Sequence, residues 1–170
     1  MPLKPAFTLV IMGVSGCGKS TVGKAVADHT DTPFLDADDF HPQSNRDKMA
    51  SGIALNDGDR KPWLETLRDE IKTHNDAGKN LILACSALKE SYRDILRQAG
   101  PQVAFVYLHG SRELLLERLN SRSDHFFPPE LLDSQLDTLE VPQDALVLEI
   151  TAPPQSLAEQ ILVPFFNRLP

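Results

Sequence analysis

Short apolar runs alternate with amphipathic stretches along the whole chain. The runs cover residues 7–12, 32–35, 80–85, 103–108 and 145–150. Runs of this length, bounded by glycine or polar residues, are typical of buried strands in a parallel sheet. Strands that alternate with helical patterns predict an α/β fold. We therefore expect one domain over residues 1–170, with a five-stranded parallel sheet and helices on both of its faces.

The stretches between the runs predict helices with recognisable ends. Helices are expected over residues 19–29, 46–50, 62–77, 88–98, 111–120 and 130–139, with one more near the C-terminus. Pro62 suits the first position of the third helix. Ser86 is placed to cap the fourth helix, and Ser156 with Glu159 forms a capping-box pattern for the last.

A phosphate-binding pattern, Gly-x-x-x-x-Gly-Lys-Ser, lies between the first predicted strand and the first helix. Its glycines allow successive backbone N–H groups to curl around an anion, and the helix adds its positive dipole end. Lys19 is expected to reach the β- and γ-phosphates, and the Ser20 hydroxyl to bind Mg²⁺. The predicted nucleoside triphosphate site consists of Gly13, Val14, Ser15, Gly16, Cys17, Gly18, Lys19, Ser20 and Thr21.

Composition narrows the class of partner. A hydrophobic content of 41% and a charged content of 24% are typical of a soluble globular protein. The net charge of −7 disfavours nucleic acid and anionic membranes as partners, because the long-range field repels them. The apolar run before the phosphate loop is expected to be a strand, not a signal peptide or a membrane span. Cys17 and Cys85 lack metal-ligand spacing and suit a reduced, cytoplasmic compartment.

An acidic cluster follows the second predicted strand, where ligands bind in open parallel sheets. Asp36, Asp38 and Asp39 place three carboxylates in four residues. Such carboxylates repel one another unless a cation or polyol hydroxyls lie among them. We expect Asp36 to hold Mg²⁺ through water, and Asp38 to accept a proton from a substrate hydroxyl. The alternative is a solvated acidic loop.

The third predicted strand ends in a turn of small residues that starts at Ser86 and could admit a polar substrate. Lys89 and Arg93 lie four residues apart, on one face of the following helix. They could bind a carboxylate, or they could form a solvent-exposed basic face.

A polar break at about residues 120–130 is expected to be a small lid over the phosphates. Arg118 and Arg122 lie four residues apart at its beginning. Small kinases exclude water with such a lid, and its arginines neutralise charge in the transition state. His41 and His125 could donate to phosphate or act as polar caps.

Motifs along most of the chain resemble gluconokinases of the small P-loop type, which are related to shikimate and adenylate kinases. They lie in residues 36–42, 44–49, 57–64, 84–93 and 125–140. The resemblance implies the P-loop fold of nucleoside-monophosphate kinases. It also implies ATP-dependent phosphorylation of D-gluconate to 6-phospho-D-gluconate, with Mg²⁺, by a cytoplasmic homodimer. Cys17 departs from the family pattern, in which this position often carries serine.

The same resemblance places Asp38, Arg60, Lys89 and Arg93 where the related kinases bind substrate. Together with Ser86, His41 and His125 they form the predicted substrate site. Lys19, Asp38 and Arg122 would be catalytic, and Arg118 would pack near the adenine or the phosphates. The gluconate carboxylate needs a cation, for which Arg60, Lys89 and Arg93 are the candidates.

Three rival functions differ from this hypothesis. Another small-molecule kinase, acting on shikimate or a nucleoside monophosphate, would share the phosphate loop. A nucleotide-binding switch would bind without turnover, but the sequence has no Asn-Lys-x-Asp motif for guanine. A catalytically dead scaffold is disfavoured because Lys19, Ser20, Asp36 and Arg122 are all present.

Overall fold

A single parallel sheet forms the centre of the protein. The structure is a computed structural model that describes residues 5–121 and 128–166. Within these residues the sheet has five strands in the order β2-β3-β1-β4-β5. The strands are β1 Thr8–Met12, β2 Phe34–Asp36, β3 Leu81–Ala84, β4 Val103–His109 and β5 Leu146–Glu149. The predicted five-stranded parallel sheet is confirmed.

Helices cover both faces of this sheet. They are α1 Lys19–Thr30, α2 Gln43–Ala50, α3 Asp57–Asp76, α4 Glu90–Arg97, α5 Arg112–Ser121, α6 Pro129–Thr138 and α7 Pro154–Phe166, with a 3₁₀ turn at Ala37–Phe40. Helix α1 packs on α7, and α3 packs on α4. Every residue of β1 and β3 is buried, as expected for strands that are covered on both sides. No helix in the described ranges is long and apolar enough to span a membrane.

Helix α3 begins at Asp57, so the prediction that Pro62 opens it is wrong. The Asn56 side chain accepts a hydrogen bond from the Asp59 N–H at 2.8 Å, and the Asp59 carboxylate accepts one from the Asn56 N–H at 3.0 Å. This capping box satisfies two N–H groups that would otherwise have no partner at the start of a helix. The helix therefore starts before the proline, which lies inside it.

Two predicted caps are also wrong. Helix α4 starts at Glu90 with Lys89 as its N-cap, so Ser86 belongs to the preceding turn. In that turn Ala87 has a φ of 46°, which a residue with a Cβ rarely adopts. Helix α7 starts at Pro154, because proline is pre-organised for the first helical position, and Ser156 therefore lies inside the helix.

Strand register brings the predicted site residues together. Ile11 of β1 and Asp36 of β2 both pair with Ala84 of β3. Because the three strands are parallel, their carboxyl ends meet at one edge of the sheet. The phosphate loop, the acidic cluster and the turn at Ser86 therefore lie side by side, although they are far apart in the sequence.

Candidate active site

The phosphate loop adopts a conformation that depends on its glycines. Gly13, Gly16 and Gly18 have φ values of +146°, +87° and +93°. At Gly13 a Cβ would lie 2.6 Å from the Leu108 carbonyl oxygen, so no larger residue fits. Gly18 caps α1 without a side chain, and the helix N-terminus is a ready anion site. Lys19 Nζ donates to the Val14 carbonyl at 3.1 Å, which places the ammonium over the loop.

Ser20 and Asp36 lie in direct contact beside this loop. Ser20 Oγ donates to the Asp36 carboxylate at 2.6 Å, and the other carboxylate oxygen accepts from the Asp38 N–H at 3.0 Å. A hydroxyl and a carboxylate next to a phosphate site are oxygen ligands of the kind that Mg²⁺ uses. Mg²⁺ usually keeps several waters and needs few protein ligands, so the pair fits this ion.

A cavity of about 210 Å³ opens between the phosphate loop and α6. It is lined by Ser15, Lys19, Asp38, His41, Met49, Ile53, Ala54, Leu55, Arg60, Trp63, Ser86, Leu88, Leu131, Ser134 and Gln135. Five residues predicted to bind substrate or transfer phosphate are among them, namely Lys19, Asp38, His41, Arg60 and Ser86. The structure thus joins phosphate-binding, acidic and cationic groups in one small space.

Asp38 presents its carboxylate to this cavity. Its side chain lines the cavity and is 84% exposed to solvent. Desolvation by the nearby protein atoms, followed by the negative charge of Asp36, raises the pKa of Asp38, and the positive charge of Lys19 opposes the rise. A carboxylate with a raised pKa is a better proton acceptor than an ordinary one.

His41 is held as a neutral imidazole. Its ring stacks on Trp63, with the centroids 4.1 Å apart. The Asn45 Nδ2 group donates to the Asp59 carbonyl at 2.9 Å and lies 3.2 Å from His41 Nδ1. Because a carbonyl only accepts hydrogen bonds, the amide orientation is defined and Nδ1 must be the acceptor. The proton therefore resides on Nε2, which lies 3.9 Å from the Asp38 carboxylate.

The charge state of His41 agrees with these contacts. Burial, followed by the positive charges of Arg46 and Arg60, lowers the pKa of His41 to about 4. At neutral pH the imidazole is consequently uncharged, with its Nε2–H group directed towards Asp38 and the cavity.

Arg60 is a second cation, besides Lys19, among the residues that line the cavity. Its guanidinium is half-buried, donates to the Tyr92 hydroxyl at 3.2 Å and lies 5.5 Å from the centre of the Tyr92 ring. These contacts hold one side of the guanidinium. An arginine has five donors in a planar fork, so one such contact leaves capacity for an anionic ligand.

Lys89 lies outside the cavity, in an adjoining surface groove that it shares with Arg60. Its ammonium pairs with the Asp57 carboxylate at 2.9 Å, and the Tyr92 hydroxyl donates to the same carboxylate. The hydrogen bond to Asp57 raises the pKa of Lys89. The ion pair connects the start of α3 to the residue before α4.

Arg93 is buried in the protein interior and does not line the cavity. Its guanidinium donates to the carbonyls of Ala87, Leu88 and Glu140 at 2.7, 3.2 and 2.9 Å, and to the Glu90 carboxylate at 2.8 Å. Because these protein groups accept the hydrogen bonds of the guanidinium, Arg93 connects the turn before α4 to the segment that contains Glu140.

The remaining predicted residues are less closely grouped. Thr21 is exposed on α1. Arg118 is half-buried on α5 and donates to the Ile150 carbonyl, after the last strand. Arg122 and His125, with most of the predicted lid, lie outside the described residues.

Sequence reasoning missed the contribution of α6. Leu131, Ser134 and Gln135 occupy one face of this helix and line the cavity. The Gln135 side chain also bonds to Ser15 of the phosphate loop. The i, i+3, i+4 spacing marks a helix face, but it does not reveal which neighbour that face meets.

The fold and this site define a small-molecule kinase of the P-loop type. The chain is 45% identical over 148 residues to the thermoresistant gluconokinase of Escherichia coli (strain K12), which covers 85% of this chain and 85% of that relative. The chain therefore belongs to the gluconokinase family.

Further comparisons agree with this assignment. A family model described as shikimate kinase matches residues 15–145. A gluconokinase structure from Sinorhizobium meliloti 1021 is similar with a TM-score of 0.86 and 40% identity, over 94% of this chain and 91% of that chain. An unliganded sugar kinase from a Janibacter species gives a TM-score of 0.88 and 44% identity, over 94% of each chain.

Proposed function

We propose that the protein transfers the γ-phosphoryl group of ATP to D-gluconate and produces 6-phospho-D-gluconate and ADP. The observation that carries this proposal is the cavity that joins Lys19 of the phosphate loop, the Asp38 carboxylate and the Arg60 guanidinium. Phosphorylation of a sugar acid needs all three kinds of group: a site for the phosphate donor, a proton acceptor for the hydroxyl and a cation for the carboxylate. Membership of the gluconokinase family supports the same reaction.

In the proposed reaction the 6-hydroxyl oxygen of gluconate attacks the γ-phosphorus in line. The new O–P bond forms as the bond from that phosphorus to the bridging oxygen breaks, and the electron pair leaves with ADP. Asp38 orients the hydroxyl and accepts its proton, and Lys19 with Arg122 stabilises the charge on the transferred group. Positioning and electrostatic stabilisation supply most of the catalysis in phosphoryl transfer.

Arg60 is the proposed partner of the gluconate carboxylate. It lines the cavity, whereas Lys89 pairs with Asp57 in the adjoining groove and Arg93 is buried. His41 would donate its Nε2–H to a substrate hydroxyl beside Asp38, and Ser86 would complete the polar wall. Lys89 and His125 remain proposed contributors to substrate binding.

Ser20, and Asp36 through water, are the residues proposed to hold Mg²⁺. When bound, the ion would neutralise phosphate charge. The resemblance to gluconokinases also supports a single kinase domain with a lid at about residues 120–130, Arg118 near the nucleotide, a cytoplasmic location and a homodimer.

The test compares gluconate with an acceptor that lacks its carboxylate and with two acceptors of other kinases. ADP release with Mg²⁺-ATP is measured for gluconate and for glucitol, which has the same chain of hydroxyls but no carboxylate, and for shikimate and AMP. We expect turnover on gluconate to exceed that on glucitol by roughly 100-fold, the value of a charge-assisted pair of hydrogen bonds. Activity on shikimate or AMP instead would overturn the assignment of the acceptor.

The variant Arg60→Met should remove this preference for the carboxylate. Its KM for gluconate should rise roughly 100-fold, while the KM for ATP changes little. Arg68→Met is the matched control, because Arg68 contacts Asp69 and Gln98 at the surface of α3 and its side chain is outside the cavity. A preference for gluconate that survives in Arg60→Met would assign the carboxylate to another residue.

A further inference from the structure

Gln135 makes two hydrogen bonds to one residue of the phosphate loop. Its Oε1 accepts from the Ser15 backbone N–H at 2.7 Å, and its Nε2 donates to Ser15 Oγ at 2.9 Å. A backbone N–H can only donate, so the atom facing it must be the amide oxygen. The second bond follows from the same orientation. The side chain therefore holds both the backbone and the hydroxyl of Ser15.

This contact lies where the donor and acceptor sites meet. Ser15 and Gln135 both line the cavity that contains Lys19 and Asp38. Leu131 and Ser134 line it from the same helix. Helix α6 thus closes the acceptor space and contacts the phosphate loop through one carboxamide.

The C-terminal end of α6 is anchored independently. The Glu140 N–H donates to the Leu88 carbonyl at 2.8 Å, and the Glu140 carboxylate accepts from the Glu90 N–H at 2.8 Å. The buried guanidinium of Arg93 donates to the Glu140 carbonyl at 2.9 Å. These bonds connect α6 to the turn that carries Ser86, so the helix is fixed at one end to the acceptor wall and through Gln135 to the phosphate loop.

We propose that Gln135 is a positioning residue for phosphoryl transfer, which aligns the phosphate loop with the acceptor cavity by holding Ser15. The proposal rests on the proposed function for its acceptor. Successive N–H groups of the loop must point at the phosphates, and their directions depend on how each peptide is turned. Gln135 sets the turn at Ser15, and small errors in the position of the donor phosphate cost large factors in rate.

The test uses Gln135→Met, which keeps the length of the side chain and removes both hydrogen bonds. We expect kcat with gluconate to fall roughly 10- to 100-fold, the effect of two lost hydrogen bonds, with a change in the KM for gluconate below about threefold. Hydrolysis of Mg²⁺-ATP without any acceptor should fall by a similar factor, since the loop positions the donor in both reactions. The melting temperature should change by less than about 3 °C.

Three further variants sharpen the result. Ser15→Ala removes only the hydroxyl contact and should lose less than Gln135→Met. In the double variant the losses should not add, because both changes remove the same bond. Gln135→Glu can still accept from Ser15 but places a charge beside the phosphates, so its KM for ATP should rise. Gln160→Met is the matched control on the exposed surface of α7 and should keep wild-type kcat.

Several outcomes would overturn the proposal. These are a kcat of Gln135→Met within twofold of wild type, additive losses in the double variant, or a loss of rate that follows a large fall in melting temperature. The acceptor is judged separately, by the wild type. An enzyme inert towards gluconate refutes the proposed function, and Gln135 is then decided by acceptor-free ATP hydrolysis.

Discussion

Replacing Arg93 with methionine should destabilise the protein without selectively weakening gluconate binding. Methionine keeps the apolar stem of the side chain and removes the guanidinium, which is fully buried. The Ala87 carbonyl then loses its 2.7 Å partner in the interior. Leu88 keeps a bond from the Glu140 N–H, and the exposed Glu90 carboxylate can turn to water.

The expected magnitude follows from these partners. One buried carbonyl without a partner costs about 1–3 kcal/mol, and the loss of the other charge-assisted bonds adds to it. A total of about 3 kcal/mol is therefore reasonable, close to the lower end for breaking a buried charge pair. For a chain of this size it corresponds to a fall in melting temperature of roughly 6–12 °C.

The assay combines thermal unfolding, followed by circular dichroism, with steady-state kinetics well below the melting temperature. We expect the KM values for gluconate and ATP to change by similar small factors. Arg97→Met is the matched control on the same helix, because Arg97 forms surface ion pairs with Glu90, Asp94 and Asp144. It should cost less than about 1 kcal/mol. Unchanged stability together with a tenfold higher KM for gluconate alone would refute the reasoning and make Arg93 a ligand.

Two further predictions concern the phosphate loop and the buried histidine. Lys19→Met should lower kcat by at least roughly 100-fold, because it removes the charge that stabilises the transferred group. Its unfolding curve should stay near that of wild type. Turnover close to that of wild type would contradict the nucleotide site. The pKa of His41 is about 4 in the folded protein, against an ordinary value of 6.5. Between these two pH values the unfolded chain binds more protons than the folded protein. The free energy of unfolding therefore falls as the pH drops from 6.5 to 4. His41→Gln should lose less stability than wild type between pH 7 and pH 5 in urea unfolding, and equal losses would show that His41 titrates normally in the fold.

The parts of the site that are contiguous in the chain follow from the sequence. The phosphate loop is one stretch between a strand and a helix, and its glycines adopt the positive φ angles that only glycine adopts easily. Ser20 and Asp36 were expected to share an ion, and they are hydrogen-bonded. The position of a strand end determines where the next residue lies, so such predictions need little information from the rest of the molecule.

The sequence does not show which partner a long side chain contacts in the folded protein. Arg60, Lys89 and Arg93 are equivalent candidates in the sequence, since each is a cation that the resemblance places where related kinases bind substrate. Packing gives these cations different partners. Arg93 donates to the carbonyl of Glu140, and Lys89 pairs with the carboxylate of Asp57. Arg60 lines the cavity. The start of α3 is a second example. Pro62 predicts that the helix begins there, but the capping box at Asn56 makes it begin at Asp57.

The sequence by itself therefore determined the fold class, the phosphate loop and the acidic strand end. The tertiary structure decided which cation faces the acceptor and which helix closes the cavity. The contact of Gln135 with Ser15 spans 120 residues and has no local signature. Side chains meet across such distances only after the sheet and its helices have packed, and the choice of partner depends on which groups packing leaves within reach.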